Sequence, residues 1–172
     1  MARYITWTRR TTMLWFNKRS SATNELICSL LYDDSTFYAR FASDLKNCHS
    51  EVIIESPFIT SRRLDLLMPA LQKLKSKHVR ITINTRDPEI NDDEVMCRDA
   101  RFALSKLQHM GINVLYTSGH HRKLAIIDRS ILYEGSLNIL SQNNSYEVMR
   151  RIESAQLAWQ MIRFVKIDDF VR

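Results

Sequence analysis

The stretch HHRKLAIIDRSILYEGSLN, residues 120–138, gathers two histidines, a lysine, an aspartate, a serine and an asparagine within one short segment. An imidazole can attack phosphorus or move a proton, an ammonium is a fixed cation, and a hydroxyl and an amide are neutral hydrogen-bond donors. Together they suit a phosphoryl group whose charge is spread over its equatorial oxygens. Two of the chain's three glycines, Gly119 and Gly135, bracket the segment, as expected where backbone turns deliver side chains to one place.

Such convergence requires a sheet edge. His121 and Lys123 stand two residues apart at the expected start of a strand, so both project from one face, while His120 points away from His121. His120 also has Arg122 rather than a lysine two residues on, and is read as a supporting or exposed residue. Leu124–Ile127 is a continuous apolar run, the pattern of a strand covered on both sides. A turn through Arg129 and Ser130 then starts a second strand, which returns Ser136 and Asn138 toward His121.

Helical and strand patterns alternate through the rest of the chain. DDSTFYARFASDLKNC offers Asp34 and Ser35 as N-caps and repeats Phe37, Phe41 and Leu45 at helical spacing. EVIIES, VRITINT, INVLYT and YEVMRR read as strands, the first closed by Pro57. SRRLDLLMPALQKLKSK reads as helix with a kink or fresh start at Pro69. DDEVMCRDARFALSKLQHMG is a helix with Gly111 just past its end. The last helix, SAQLAWQMIRFV, carries a stripe of Leu157, Met161, Phe164 and Val165 for core or dimer packing. Arg150 and Arg151 are taken as solvated strand-end charges rather than phosphate contacts.

The expected fold class is α/β: a layered, mixed and largely parallel β-sheet flanked by helices. Residues 33–172 are expected to form one domain, preceded by a basic segment, residues 1–32, that the pattern does not place. Leu26–Tyr32 within it fits strand or helix equally.

The 172 residues carry a net charge of +6, with 45% hydrophobic and 26% charged residues, an ordinary globular composition. No apolar run approaches the ~18 residues that cross a bilayer. The first residues, MARYITWTRRTTMLWF, break their apolar run with Thr and Arg, so the expectation is a cytoplasmic protein without a signal peptide or membrane association. Cys28, Cys48 and Cys97 are scattered and odd in number, which suits buried thiols better than a disulfide or zinc framework. No His/Asp/Glu cluster has ligand spacing, so neither a metal nor another cofactor is expected. Arg3, Arg9 and Arg10 lie among Tyr4, Trp7, Trp15 and Phe16, with no acid before Glu25. This arm either binds phosphates and stacks bases or is a terminal strand.

The order H-x-K-x4-D-x6-G-S-x-N, met by His121, Lys123, Asp128, Gly135, Ser136 and Asn138, resembles the signature of the phospholipase D superfamily. Those six positions match by chance with a probability on the order of 10⁻⁸ per start site. EVIIESPFIT also resembles the family's first core strand, and GSLNILS with SYEVMRR resembles phospholipase D-like domains attached to bacterial helicases and found in small nucleases. The likeness runs from about Leu31 to Val165 and implies a phospholipase D-like fold.

The resemblance also implies roles. His121 would form a phosphohistidine, Lys123 and Asn138 would bind the non-bridging oxygens, and Ser136 would assist. Glu147 would hold the other imidazole nitrogen, although many relatives carry Asn where this chain has Ser145. Asp128, the motif's aspartate, would act chiefly through structure. The family completes a site from two such motifs, and this chain has one, so a homodimer with a composite active site is expected. The implied activity is a metal-independent phosphodiesterase acting on nucleic acid, with DNA favoured and endonucleolytic cleavage expected. The alternatives are a non-catalytic DNA-binding or targeting module of a helicase or restriction system, and a lipid phosphodiesterase or phosphatidyltransferase.

Overall fold

The computed structural model describes residues 3–5, 28–90, 93–141 and 146–169. Their strands are β1 (Arg3–Ile5), β2 (Cys28–Asp33), β3 (Glu51–Glu55), β4 (Arg80–Thr85), β5 (Asn113–Thr117), β6 (Leu124–Ile127), β7 (Ile131–Gly135) and β8 (Val148–Glu153). The helices are α1 (Phe37–Lys46), α2 (Ser61–Ser76), α3 (Glu94–His109) and α4 (Ala155–Val165). All eight strands join one sheet in the order β1-β5-β4-β3-β6-β7-β8-β2.

The fold is α/β with a mixed sheet flanked by helices. Pairing is parallel for β1·β5, β4·β5 and β3·β4; α2 carries the chain from β3 to β4 and α3 from β4 to β5. It is antiparallel for β3·β6, β6·β7, β7·β8 and β2·β8. The antiparallel share exceeds what helix–strand alternation implies, because β6 and β7 are joined by a tight hairpin and β8 folds back beside them. Asp128 and Arg129 take φ of 49° and 53° in that hairpin, the left-handed geometry that matches a strand pair's twist. Of the segment Leu26–Tyr32, residues from Cys28 onward form strand, on the sheet's edge beside β8.

The apolar run of β6 divides as a doubly covered strand should. Ala125 and Ile127 join the core under α1, α2 and α3, and Leu124 and Ile126 join the core under α4. Phe37, Phe41 and Leu45 bury the face of α1 completely, with Tyr133 of β7 set edge-on to both phenylalanine rings at 5.5 and 5.3 Å. In α4 the buried positions are Ala158, Ile162 and Val165, while Phe164 is exposed. α3 ends in a double carbonyl cap: Gly111 (φ 68°) donates to Gln108 O and Ile112 donates to Leu107 O.

Three local expectations are corrected. α2 runs through Pro69 without restarting, because Thr60 caps its start and Leu64, Leu67, Leu71 and Leu74 bury one stripe along its whole length. The N-cap of α1 is Thr36 rather than Asp34 or Ser35, and the Asp33 carboxylate accepts from the Ser35 and Thr36 amides. Arg151 is buried rather than solvated: its Nε donates to Asp44 Oδ2 at 2.6 Å, and the Tyr133 hydroxyl donates to the same oxygen. Arg150 remains exposed and donates to Ser29 Oγ at 2.8 Å.

Strand directions define two rims. The upper rim carries the C-terminal ends of β3, β4, β5 and β7 and the N-terminal ends of β6 and β8; the lower rim carries their opposite ends. Among the described residues, no helix is long and apolar enough to cross a membrane.

Candidate active site

The signature residues other than Asp128 reach the upper rim from two connections, β5–β6 and β7–β8. Residues 118–123 link β5 to β6, and β6 itself begins only at Leu124, so His121 and Lys123 lie in irregular chain rather than on a strand. His121 is exposed and Lys123 half-buried. Lys123 Nζ donates to the His121 carbonyl at 3.0 Å, so the two residues are tied through backbone, and the ammonium keeps two further donors. The Lys123 carbonyl accepts from Gly135 N at 3.2 Å, which joins the histidine segment to the Gly-Ser-x-Asn turn.

Gly135 is required by the approach of β8. A Cβ there would stand 2.1 Å from the Val148 carbonyl oxygen. Without it, Ser136 N donates to that carbonyl at 2.9 Å and Ser136 Oγ accepts from Val148 N at 3.1 Å. The serine hydroxyl is thus held as an acceptor and keeps its own proton to donate. Glu147, half-buried, immediately precedes Val148 and so enters the same rim. Asn138 is 7% exposed, and its amide oxygen has no hydrogen-bond partner among the described residues. Such an orphaned polar group costs stability and is typical of a site awaiting a ligand.

His120 faces inward. It is 3% exposed, both ring nitrogens lack partners among the described residues, and burial pushes its pKa down to about 4. It is therefore neutral at pH 7. The residue two further on, Arg122, clamps the segment onto Glu55 of β3, a carboxylate with no exposed surface: the guanidinium Nε donates to Oε2, and Nη2 donates to Oε1 at 3.0 Å. Glu55 also accepts from Asn84 of β4, which accepts from the Thr117 hydroxyl of β5, both at 2.9 Å. A polar chain across three strand ends thus holds the histidine loop in place. Sequence reasoning missed it, although one signal was available: EVIIES ends a fully buried strand on an acid, and such a carboxylate needs a partner.

Asp128 stands apart from the other signature residues, at the lower rim. Its carboxylate accepts from the amides of His49, Ser50 and Glu51 at 2.8 to 3.0 Å, from Ser50 Oγ at 2.7 Å and from Cys48 Sγ at 3.2 Å. Burial alone would raise its pKa, but these hydrogen bonds outweigh it and hold the carboxyl far below the usual range. The Cys48 thiol is pushed up to about 12 by burial and by Asp128, so it stays protonated. β1 places the backbone of Arg3 beside Leu115. Arg9, Arg10 and Ser145 lie outside the described residues. No cluster of three or more His, Cys, Asp or Glu side chains among the described residues can hold a metal ion.

With that geometry in place, the comparisons with known proteins decide the family. The family model described as cardiolipin synthase, PLD-like domain, matches residues 41–167. The chain belongs to the phospholipase D-like family. Its general chemistry is that of phosphodiesterases. The structure of Nuc from Salmonella typhimurium, a phospholipase D family member, superposes with a TM-score of 0.66 at 17% identity, covering 80% of this chain and 91% of that one. NucT from Helicobacter pylori gives 0.58 at 17% identity, covering 81% and 94%. Phosphatidylserine synthase from Haemophilus influenzae gives 0.59 at 11% identity, covering 90% of this chain but 41% of that one. The search of curated proteins found no match.

Proposed function

We propose that the protein is a metal-independent phosphodiesterase that hydrolyses nucleic acid, with DNA the favoured substrate, through a phosphohistidine intermediate. The observation that carries this reading is that His121, Lys123, Ser136 and Asn138 stand on two chain connections at one rim, joined where Gly135 N donates to the Lys123 carbonyl. The Lys123 ammonium, the Ser136 hydroxyl and the Asn138 NH2 are the donors there. A ring nitrogen of His121 attacks phosphorus as the bond to the leaving oxygen breaks. Lys123, Ser136 and Asn138 hold the non-bridging oxygens, a role in which preorganised donors lower the barrier most. Glu147, on the same rim, orients the imidazole and stabilises its charged form.

The leaving oxygen needs a proton and the chain supplies one signature histidine, since His120 is turned into the core. His121 of the partner subunit in a two-fold dimer supplies it. Water then attacks phosphorus, passes its proton to that second imidazole, and releases His121 as the P–N bond breaks. Turnover needs one imidazole neutral as nucleophile and the other protonated as acid, so a bell-shaped pH–rate profile is expected. The net charge of +6 supports a polyanionic substrate.

A second reading, action on a phospholipid headgroup ester, is favoured by the family model's description and by the likeness to phosphatidylserine synthase. Incubation of the protein in excess EDTA with single- and double-stranded DNA and RNA, and separately with phosphatidylglycerol micelles, separates the two, with His121→Ala as control. Cleavage of nucleic acid alone is expected. Turnover of the lipid alone, or activity that EDTA removes and magnesium restores, overturns the proposal.

A further inference from the structure

We propose that the cavity beside His121, at the exits of β3 and β4, is a nucleobase subsite that seats a base next to the scissile phosphate. The proposal rests on His121 as the attacking group and adds what the site reads besides phosphate. The cavity has a volume of about 60 Å³ and is lined in part by Pro57, Phe58, Thr85, Arg86, Asp87 and Met96. At about 10–15 Å³ for each water-sized volume, it holds several waters, enough for the edge of a base but not for a whole nucleoside.

Its connection to the reacting atoms is direct. The Phe58 ring is half-exposed and stands edge-on to His121, centroids 6.4 Å apart and planes at 82°. The Arg86 guanidinium lies 5.4 Å from the centre of the same ring. An aromatic face flanked by a cation is the pairing that proteins use on single strands, where the ring stacks a base and the cation meets the adjoining phosphate. The wall is fixed to the phosphate-binding turn: Thr60 N donates to Leu140 O at 2.8 Å, Leu140 N donates to Ser56 Oγ at 3.2 Å, and Ser56 Oγ donates to Phe58 O at 3.0 Å. A base seated on Phe58 therefore keeps a set distance from a phosphate held at Asn138.

A second, independent feature points to a polar ligand edge. Thr85 ends β4 at 1% exposure and lines the cavity, and its hydroxyl has no hydrogen-bond partner among the described residues. A purely apolar occupant would leave that hydroxyl orphaned. A base edge, with donors and acceptors in its plane, satisfies it.

The test uses His121→Ala protein in EDTA, so that strands bind without turnover, and compares a short oligothymidylate with the same strand carrying abasic residues. Base removal is expected to weaken binding by about tenfold or more, the usual scale for one stacked base. Phe58→Leu, which keeps the apolar packing and removes the ring, should lower affinity for the base-bearing strand and leave the abasic strand unchanged. Thr85→Val should narrow the same difference, whereas Arg86→Ala should weaken both strands alike. Equal affinity of ordinary and abasic strands overturns the subsite, as does a failure to bind either. Base-dependent binding by a wild-type protein that cleaves no strand keeps the subsite and refutes the catalytic reading, so the two fail separately.

Discussion

At the lower rim Asp128 accepts five hydrogen bonds, and Glu51 is paired with both Arg80 and Arg129, which in turn reaches Asp168. At the upper rim the Asn138 amide oxygen, the Thr85 hydroxyl and both His120 nitrogens are buried with no partner among the described residues. One signature motif spans both ends of β6. Its aspartate is saturated by the protein, while its asparagine keeps a buried amide oxygen without a partner among the described residues, beside the exposed histidine and half-buried lysine. A polar group that is fully paired holds the fold, and a buried one left unpaired is stability given up where a ligand is to bind.

The largest effect that can break this contrast belongs to His121. His121→Ala should abolish cleavage with the melting temperature unchanged, since the side chain is exposed. Mixed with wild type, it should lower activity faster than the wild-type fraction falls, because a heterodimer lacks one of two required imidazoles. Proportional loss, or full turnover by a species that sediments as a monomer, removes the composite site. Lys123→Ala should cost about 10²–10³ in rate, read from kcat under saturating substrate.

Asp128→Ala should do the reverse. Three backbone amides at the start of β3 lose their acceptor, so stability should fall by about 3 kcal/mol in denaturant titration, with kcat per folded molecule near wild type. A rate loss at unchanged stability would move Asp128 into the chemistry.

His120 sharpens the comparison through pH. Burial lowers its folded pKa to about 4 against an ordinary value of 6.5, so between those values the unfolded chain takes up a proton that the folded chain refuses. Stability should therefore fall on acidification, by up to about 2 kcal/mol from pH 7 to pH 5, and His120→Leu should flatten that slope. An unchanged slope means that His120 is paired or solvated in solution. Glu55, Arg122, His121 and Lys123 are the titratable and charged neighbours that modulate it.

The smallest effect is expected from the basic arm. Removing Arg3, Arg9 and Arg10 should weaken DNA binding alike across sequences and flatten its salt dependence, by about one unit of slope for each arginine that neutralises a phosphate. An identical slope assigns these arginines to packing.

Sequence alone determined what depends on short spacing. The order of helices and strands, the doubly covered run of β6, the apolar stripe of α1 and the Gly111 stop all follow from periods of two or three to four residues, which any chain of this composition must respect. The signature was equally legible, because its residues lie close together along the chain. What the tertiary structure decided are the pairings between distant residues. Only strand order sets Asp128 over the start of β3 rather than beside His121. Only the crossing of α1 over β7 and β8 turns Arg151 from a solvated charge into a buried partner of Asp44. The same holds for Arg122 on Glu55 and for Phe58 against His121, which lie far apart in sequence and meet because β3 and β6 are neighbours. A residue's type states which partners it needs; the folded sheet determines which of them it meets and which it leaves for a ligand.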